Sequence, residues 1–297
     1  MLQKNSSSRI IFLGILLVFI QTFAGSSFDA ITKSLGLENN IIWYHYYAIG
    51  LGFSLIIFIF YLLIIGKLRN HLIFENKKDY ILPLARGITF IPIPIIIYYT
   101  LQKIPLNIFT PILMTTPFFV LIWSRIIQKE VIAFKYWLIL IVGFLGTIFV
   151  AKPTFFQNNP FIYLIFLVAA YNALTSVIVS KYSSKASSLA YTFYGLSPLT
   201  IMCLILFIFN PLSPTNKELF YILGGGSFLF IAALLLVFVF HISGKYSRII
   251  GPFFFTQLIW ASLLGNIFFN ETLDYLSIFG LSLIVLSGSL IAFNTPK

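Results

Sequence analysis

The chain has 297 residues, of which 59% are hydrophobic and 9% are charged, with a formal net charge of +11. A soluble protein of this size could not cover that much apolar surface with so few polar groups, so the bilayer is the solvent and no soluble domain fits beside it. The basic residues stand singly or in twos and threes between apolar runs, which makes them a solvated membrane face and excludes a nucleic-acid partner. One cysteine, Cys203, excludes an intrachain disulfide and a cysteine metal cluster.

A hydrocarbon core about 30 Å thick needs about 20 apolar residues per helical crossing. Ten runs meet this requirement, at 10–36, 41–66, 79–101, 105–127, 131–151, 159–181, 188–209, 218–241, 247–269 and 273–293. Runs of this length are about twice what a membrane strand needs, so the expected fold is all-α and integral to the membrane. Lys4 and Arg9 before the first run imitate a signal peptide. That reading is rejected because the segment has a partner in the second half.

The fourth and fifth runs recur as the ninth and tenth at an offset of 141 residues. Pro111, Thr115 and Glu130 become Pro252, Thr256 and Glu271, while Ile108 and Ile126 become Ile249 and Ile267. Tyr80-Ile81-Leu82 recurs as Tyr221-Ile222-Leu223. The first and sixth runs match at an offset of 143, where Phe28-Asp29-Ala30-Ile31-Thr32 faces Tyr171-Asn172-Ala173-Leu174-Thr175. The expected organisation is a five-helix repeat over 1–153 and a second over 154–297. An odd number of crossings per repeat makes the second one inverted.

Orientation follows from Lys and Arg in alternate joints. Fourteen fall on the side of Lys4, Lys67, Lys78, Lys129, Lys185 and Lys297, against Lys33, Lys103, Lys152 and Lys217 on the other. Both termini are therefore expected in the cytoplasm, with Glu130 in a cytoplasmic joint and Glu271 in an external one.

The third run carries Pro83, Pro92 and Pro94, and the eighth carries Gly224-Gly225-Gly226 opposite Pro83. Interrupted helices at matching places of two inverted halves point to a transporter's binding site. Asp29 and Lys33 are four apart on one helical face, which permits an ion pair. In the frame of the sixth run Asp29 lies about 20 Å along its crossing. A carboxylate at that depth needs a partner or water, and Lys33 or Arg86 is the expected partner. Arg86 can also snorkel to the cytoplasmic surface. His45, in Trp43-Tyr44-His45-Tyr46-Tyr47, belongs either to an interfacial aromatic belt or to a proton relay. Tyr98, Tyr99, Gln257 and Trp260 would suit an aromatic cavity with hydrogen-bonding groups. Glu130 and Glu271 fit the dipoles at the starts of the fifth and tenth helices.

The repeated proline-to-glutamate element, Gly143-Phe144-Leu145-Gly146 with Lys152-Pro153, Gly280 and Gly288, and Ala85-Arg86-Gly87 together carry a resemblance to a family. The chain resembles the EamA-type carriers of the drug/metabolite transporter superfamily from Asp29 to Phe293. Through the Asp29 to Lys33 and Gly143 to Pro153 stretches it resembles the branch that includes S-adenosylmethionine importers of intracellular bacteria. The resemblance implies alternating access through a cavity lined by helices one to four and six to nine. Many relatives place an arginine near the start of the second helix, where this chain reads Tyr44-His45-Tyr46, so a substrate held there by its carboxylate is not implied.

The expected function is secondary transport of a small organic metabolite (amino-acid-like, a nucleoside-like cofactor or a vitamin) across a bacterial inner membrane. The alternatives are a membrane-embedded enzyme and a facilitator pore. The partners are that small molecule and the lipid bilayer; a homodimer stays open, and no cofactor or metal is expected. The expected substrate-binding residues are Asp29, Lys33, His45, Arg86, Tyr98, Asn172, Gln257 and Trp260.

Overall fold

The computed structural model describes residues 2–37, 41–129, 134–151, 159–182, 185–243 and 251–294. Among these residues there is helix and no strand. Lipid offers no hydrogen bonds, so a chain this apolar satisfies its backbone inside each segment. In order the helices are α1 (Leu2–Leu37), α2 (Trp43–Ile64), α3 (Leu68–Leu72), α4 (Ile81–Phe90), α5 (Pro92–Leu101), α6 (Leu106–Leu113), α7 (Thr116–Trp123), α8 (Phe134–Ala151), α9 (Phe161–Lys181), α10 (Ser188–Phe209), α11 (Asn216–Ser243), α12 (Thr256–Phe269) and α13 (Tyr275–Asn294).

Seven of the apolar helical stretches are long enough to cross a bilayer, counting α4 with α5, and α6 with α7, as one stretch each. Three shorter apolar helices cover Trp137–Val150, Phe253–Phe269 and Tyr275–Ser287. Glu130 and Lys152-Pro153 lie outside the described residues.

Helix α1 packs on α11 and α12, and α9 packs on α5, α6 and α7. Helix α2 lies against α10 and α11, α10 against α4, α6 against α12, and α8 against α13. The joints sort onto two faces. On one, Lys33 at the end of α1 reaches Ile104, Asn159 donates to the Lys103 carbonyl, and His45 meets Asn210. On the other, Lys181 donates to the Ile127 carbonyl and the Tyr194 hydroxyl to that of Leu72.

Local chemistry repeats where the sequence repeats. The Thr115 hydroxyl donates to Ile112 at 2.7 Å, and Thr256 to Phe253 at 2.6 Å, each three residues back at the start of a helix. Lys129 and Asn270, also 141 residues apart, both adopt the left-handed conformation, with φ of 58° and 52°. Each stands immediately before a repeated glutamate.

The third and eighth apolar runs differ from the expectation of paired interruptions. Pro92 has no N–H to give, and the helix stops at Phe90 and restarts at Pro92. Helix α11 runs unbroken through Gly224, Gly225 and Gly226. Its glycines serve close approach. A Cβ on Gly226 would lie 2.1 Å from the Gly50 carbonyl carbon of α2, and one on Gly225 would lie 2.1 Å from the Tyr46 hydroxyl. Gly146 and Gly280 join α8 to α13 in the same way, each blocked by the other's carbonyl oxygen.

Candidate substrate site

Thr22, Ser26, Asp29 and Lys33 recur at spacings of four, three and four, so they form one polar stripe along α1. The stripe faces α12 and the turn after it. The hydroxyls of Thr22 and Thr256 are 2.9 Å apart, and Ser26 donates to the Gln257 carbonyl at 3.2 Å. The Asp29 carboxylate is hydrogen-bonded by the Gln257 side chain and is 3% exposed. Gly25 makes room for that amide, since a Cβ there would sit 3.3 Å from Gln257 Nε2.

The expected Asp29–Lys33 pair does not form. Lys33 Nζ donates to Glu271 Oε1 at 2.8 Å and to the Ile104 carbonyl at 3.1 Å, and lies over the Phe269 ring. Glu271 also accepts the backbone N–H groups of Leu106 and Asn107 at 2.9 and 3.0 Å. It therefore caps α6 from another part of the chain and does not serve the start of the tenth helix. Asn270 explains how it arrives, because the left-handed turn bends the chain back so that the Glu271 N–H meets the Gly265 carbonyl. The pair is nearly sealed, with side-chain exposures of 10% and 7%. Beside it is a recess of ≈ 220 Å³ lined by Pro105, Asn107, Ile108, Glu271, Thr272 and Ser277.

His45 and Tyr98 have protein partners at the same face. His45 Nε2 is 2.8 Å from the Asn210 carbonyl at the end of α10, and its ring packs on Tyr44 and Phe207. The Tyr98 hydroxyl donates to the Ile41 carbonyl, tying α5 to the entry of α2, so Tyr98 is a strut and not the wall of an open cavity. Tyr46 accepts from Thr32 and stacks on Phe28, a contact that the sequence reading missed. The Trp260 ring meets Phe23 edge-on at 5.3 Å, and its indole N–H is buried with no acceptor among the described residues.

Arg86 turns inward. Nη1 donates to the Tyr191 carbonyl of α10 at 3.1 Å, and the arginine's own carbonyl accepts from Tyr171 of α9. Tyr171 adjoins half-buried Asn172, whose side chain makes no hydrogen bond among the described residues. Counted at 1.5 Å per residue from the helix ends on the Glu271 face, Lys33 lies about 6 Å deep, Asp29 about 12 Å, Asn172 about 16 Å and Arg86 about 22 Å. Asp29 and Asn172 are thus brought to similar depth, with Arg86 below them.

Comparison with known proteins puts a family to this arrangement. A solved crystal structure overlays 97% of this chain and 96% of its own with a TM-score of 0.61 at 16% identity, a likeness of fold alone. Residues 159–293 match the EamA-like transporter family. Residues 159–293 thus carry an EamA-like transporter domain. The chain is 25% identical over 201 residues to an S-adenosylmethionine uptake transporter of Rickettsia prowazekii (strain Madrid E), covering 67% of each chain. It is 26% identical over 201 residues to the protein of that name in Rickettsia bellii (strain RML369-C), covering 67% of this chain and 68% of the relative. The EamA-type assignment places the chain in the drug/metabolite transporter superfamily, as a multi-pass membrane protein that moves a small molecule and is not an enzyme.

Proposed function

We propose that this transporter carries a small cationic metabolite of the S-adenosylmethionine kind across the bacterial inner membrane by alternating access, with Asp29 as the group that receives the positive charge. The observation that carries the reading is the company Asp29 keeps. Its partner is the neutral amide of Gln257, and among the described residues no cation pairs with it, because Lys33 is taken by Glu271. A carboxylate about 12 Å inside a crossing gains from a cation that the substrate brings. S-adenosylmethionine, for which the Rickettsia relatives are named, has a sulfonium centre of that kind.

Ten crossings in two inverted repeats, 1–153 and 154–297, with both termini cytoplasmic, complete the reading. Three features support it: the recurrence of Thr115 and Lys129 as Thr256 and Asn270, helix partners that exchange when each crossing is replaced by the one five later, and the sorting of joints onto two faces. On this reading the Glu271 face is external. The Lys33–Glu271 pair then closes it, since it joins the first repeat to the second, and opening outward breaks the pair.

The test is counterflow of labelled S-adenosylmethionine in proteoliposomes, with S-adenosylhomocysteine, its neutral thioether, as competitor. The wild type should exchange labelled for unlabelled S-adenosylmethionine and be inhibited at least tenfold less by the thioether. Asp29→Asn should insert normally and lose most of this uptake. Unchanged affinity and rate in Asp29→Asn would remove Asp29 from the site, and linear uptake without counterflow would make the protein a pore.

A further inference from the structure

We infer that Arg86 is a second, oppositely charged subsite, which holds a carboxylate on the same substrate. The inference rests on the cationic reading of Asp29 and deepens it to a zwitterionic substrate class. A guanidinium carries five N–H donors in a planar fork. Here Nη1 is spent on the Tyr191 carbonyl, while Nε is buried and, among the described residues, has no acceptor. Among the described residues no carboxylate lies within ion-pair distance of it. A buried charged donor without an acceptor costs more than a neutral one, so the position is unfavourable unless something else fills it.

Gly195 of α10 leaves the space that the guanidinium occupies, since a Cβ there would lie 2.6 Å from Nη1. The hydroxyls of Thr89 and Tyr171 are 2.9 Å apart, and the side-chain amide of Asn172, the next residue of α9, makes no hydrogen bond among the described residues. Nε and Nη2 form one edge of the fork, and that edge matches the two oxygens of a carboxylate. Arg86 also lies about 10 Å deeper than Asp29. The two charges are thus offset along the crossing, as they must be for one extended molecule to reach both. Snorkelling to the cytoplasmic surface would instead direct the guanidinium toward lipid phosphate. The bond to Tyr191 on α10 holds it against a neighbouring helix.

The experiment compares binding of S-adenosylmethionine with that of its decarboxylated form, which keeps the sulfonium and lacks the carboxylate, by calorimetry on the full chain in detergent. The wild type should prefer the carboxylate form by about tenfold or more. Arg86→Gln should erase that preference while holding decarboxylated S-adenosylmethionine within about threefold of wild type, and Arg86→Lys should restore part of it. Retained binding of the decarboxylated compound also reports that the variant is folded. Equal loss of both compounds would make Arg86 structural or a lipid-phosphate ligand, and an undiminished preference in Arg86→Gln would place the carboxylate elsewhere; either outcome overturns the subsite. If the wild type binds neither compound, the cationic reading of Asp29 falls, and Arg86 falls with it. Decarboxylated S-adenosylmethionine binding that needs Asp29, with no carboxylate preference in the wild type, overturns Arg86 alone.

Discussion

Lys33 and Arg86 both carry positive charge into the apolar crossings, and the protein treats them in opposite ways. Lys33 has a carboxylate, a carbonyl and an aromatic face around its ammonium group. Among the described residues Arg86 has one carbonyl, and its Nε is buried without an acceptor. The difference separates a charge that holds the protein together from a charge kept available. Saturation by the chain's own groups leaves nothing for a ligand to add, whereas an unfilled donor in a tight place is stabilised only when something arrives.

The contrast is broken most severely at Glu271. Glu271→Gln keeps an oxygen for only one of the Leu106 and Asn107 amides, which bond to different oxygens of the carboxylate, and leaves Lys33 nearly buried without a counter-charge, which should cost about 3–5 kcal/mol. Thermal unfolding in detergent measures this as a large drop in Tm. The double variant Lys33→Met with Glu271→Gln removes both charges and should recover most of the loss, because an apolar side chain needs no partner there. On the external-closure reading, the double variant should also increase labelling of a cysteine placed at Asn107 by a membrane-impermeant reagent. Unchanged labelling would mean that the pair does not govern access.

Arg86 supplies the smaller effects. Arg86→Gln without substrate should change stability by about 1 kcal/mol or less, since it gives up one hydrogen bond to a carbonyl and relieves an unfilled donor. A loss as large as that of Glu271→Gln would erase the distinction between the two cations. Gly195→Ala is gentler still. Its methyl group meets only the mobile end of the arginine, so the fold should hold while preference for a carboxylate-bearing ligand falls severalfold in the calorimetric comparison.

The all-helical membrane character was legible in the sequence because membrane helices are long apolar runs. Thr115 and Thr256 look alike in sequence and do the same thing in space. Lys129 and Asn270 also do the same thing, yet lysine has no special liking for the left-handed conformation, so nothing in the letters announced it. Glycine was misread for a related reason. Its looseness in a helix and its thinness between helices have the same spelling, and only the opposing Gly50 backbone shows that Gly226 serves the second. Asp29, Lys33, Arg86 and Gln257 were recognisable as costly or unusual residues. Their partners were not, because helical spacing reports neighbours on one helix, while Lys33 found its carboxylate on a turn outside its own.

The Lys33–Glu271 bond joins residues 238 positions apart in the chain. At a synthesis rate of about 5–20 residues per second, roughly 10–50 s separate the emergence of the lysine from that of the glutamate. During that interval the first crossing holds a lysine about 6 Å below its end without its counter-ion, a depth from which a long side chain still reaches the headgroups. The nascent protein thus begins with Lys33 at the lipid surface and draws it inward only after the turn following α12 has been made. A ribosome-bound chain truncated before Glu271 should accordingly leave Lys33 open to amine-reactive reagents, while the finished protein hides it.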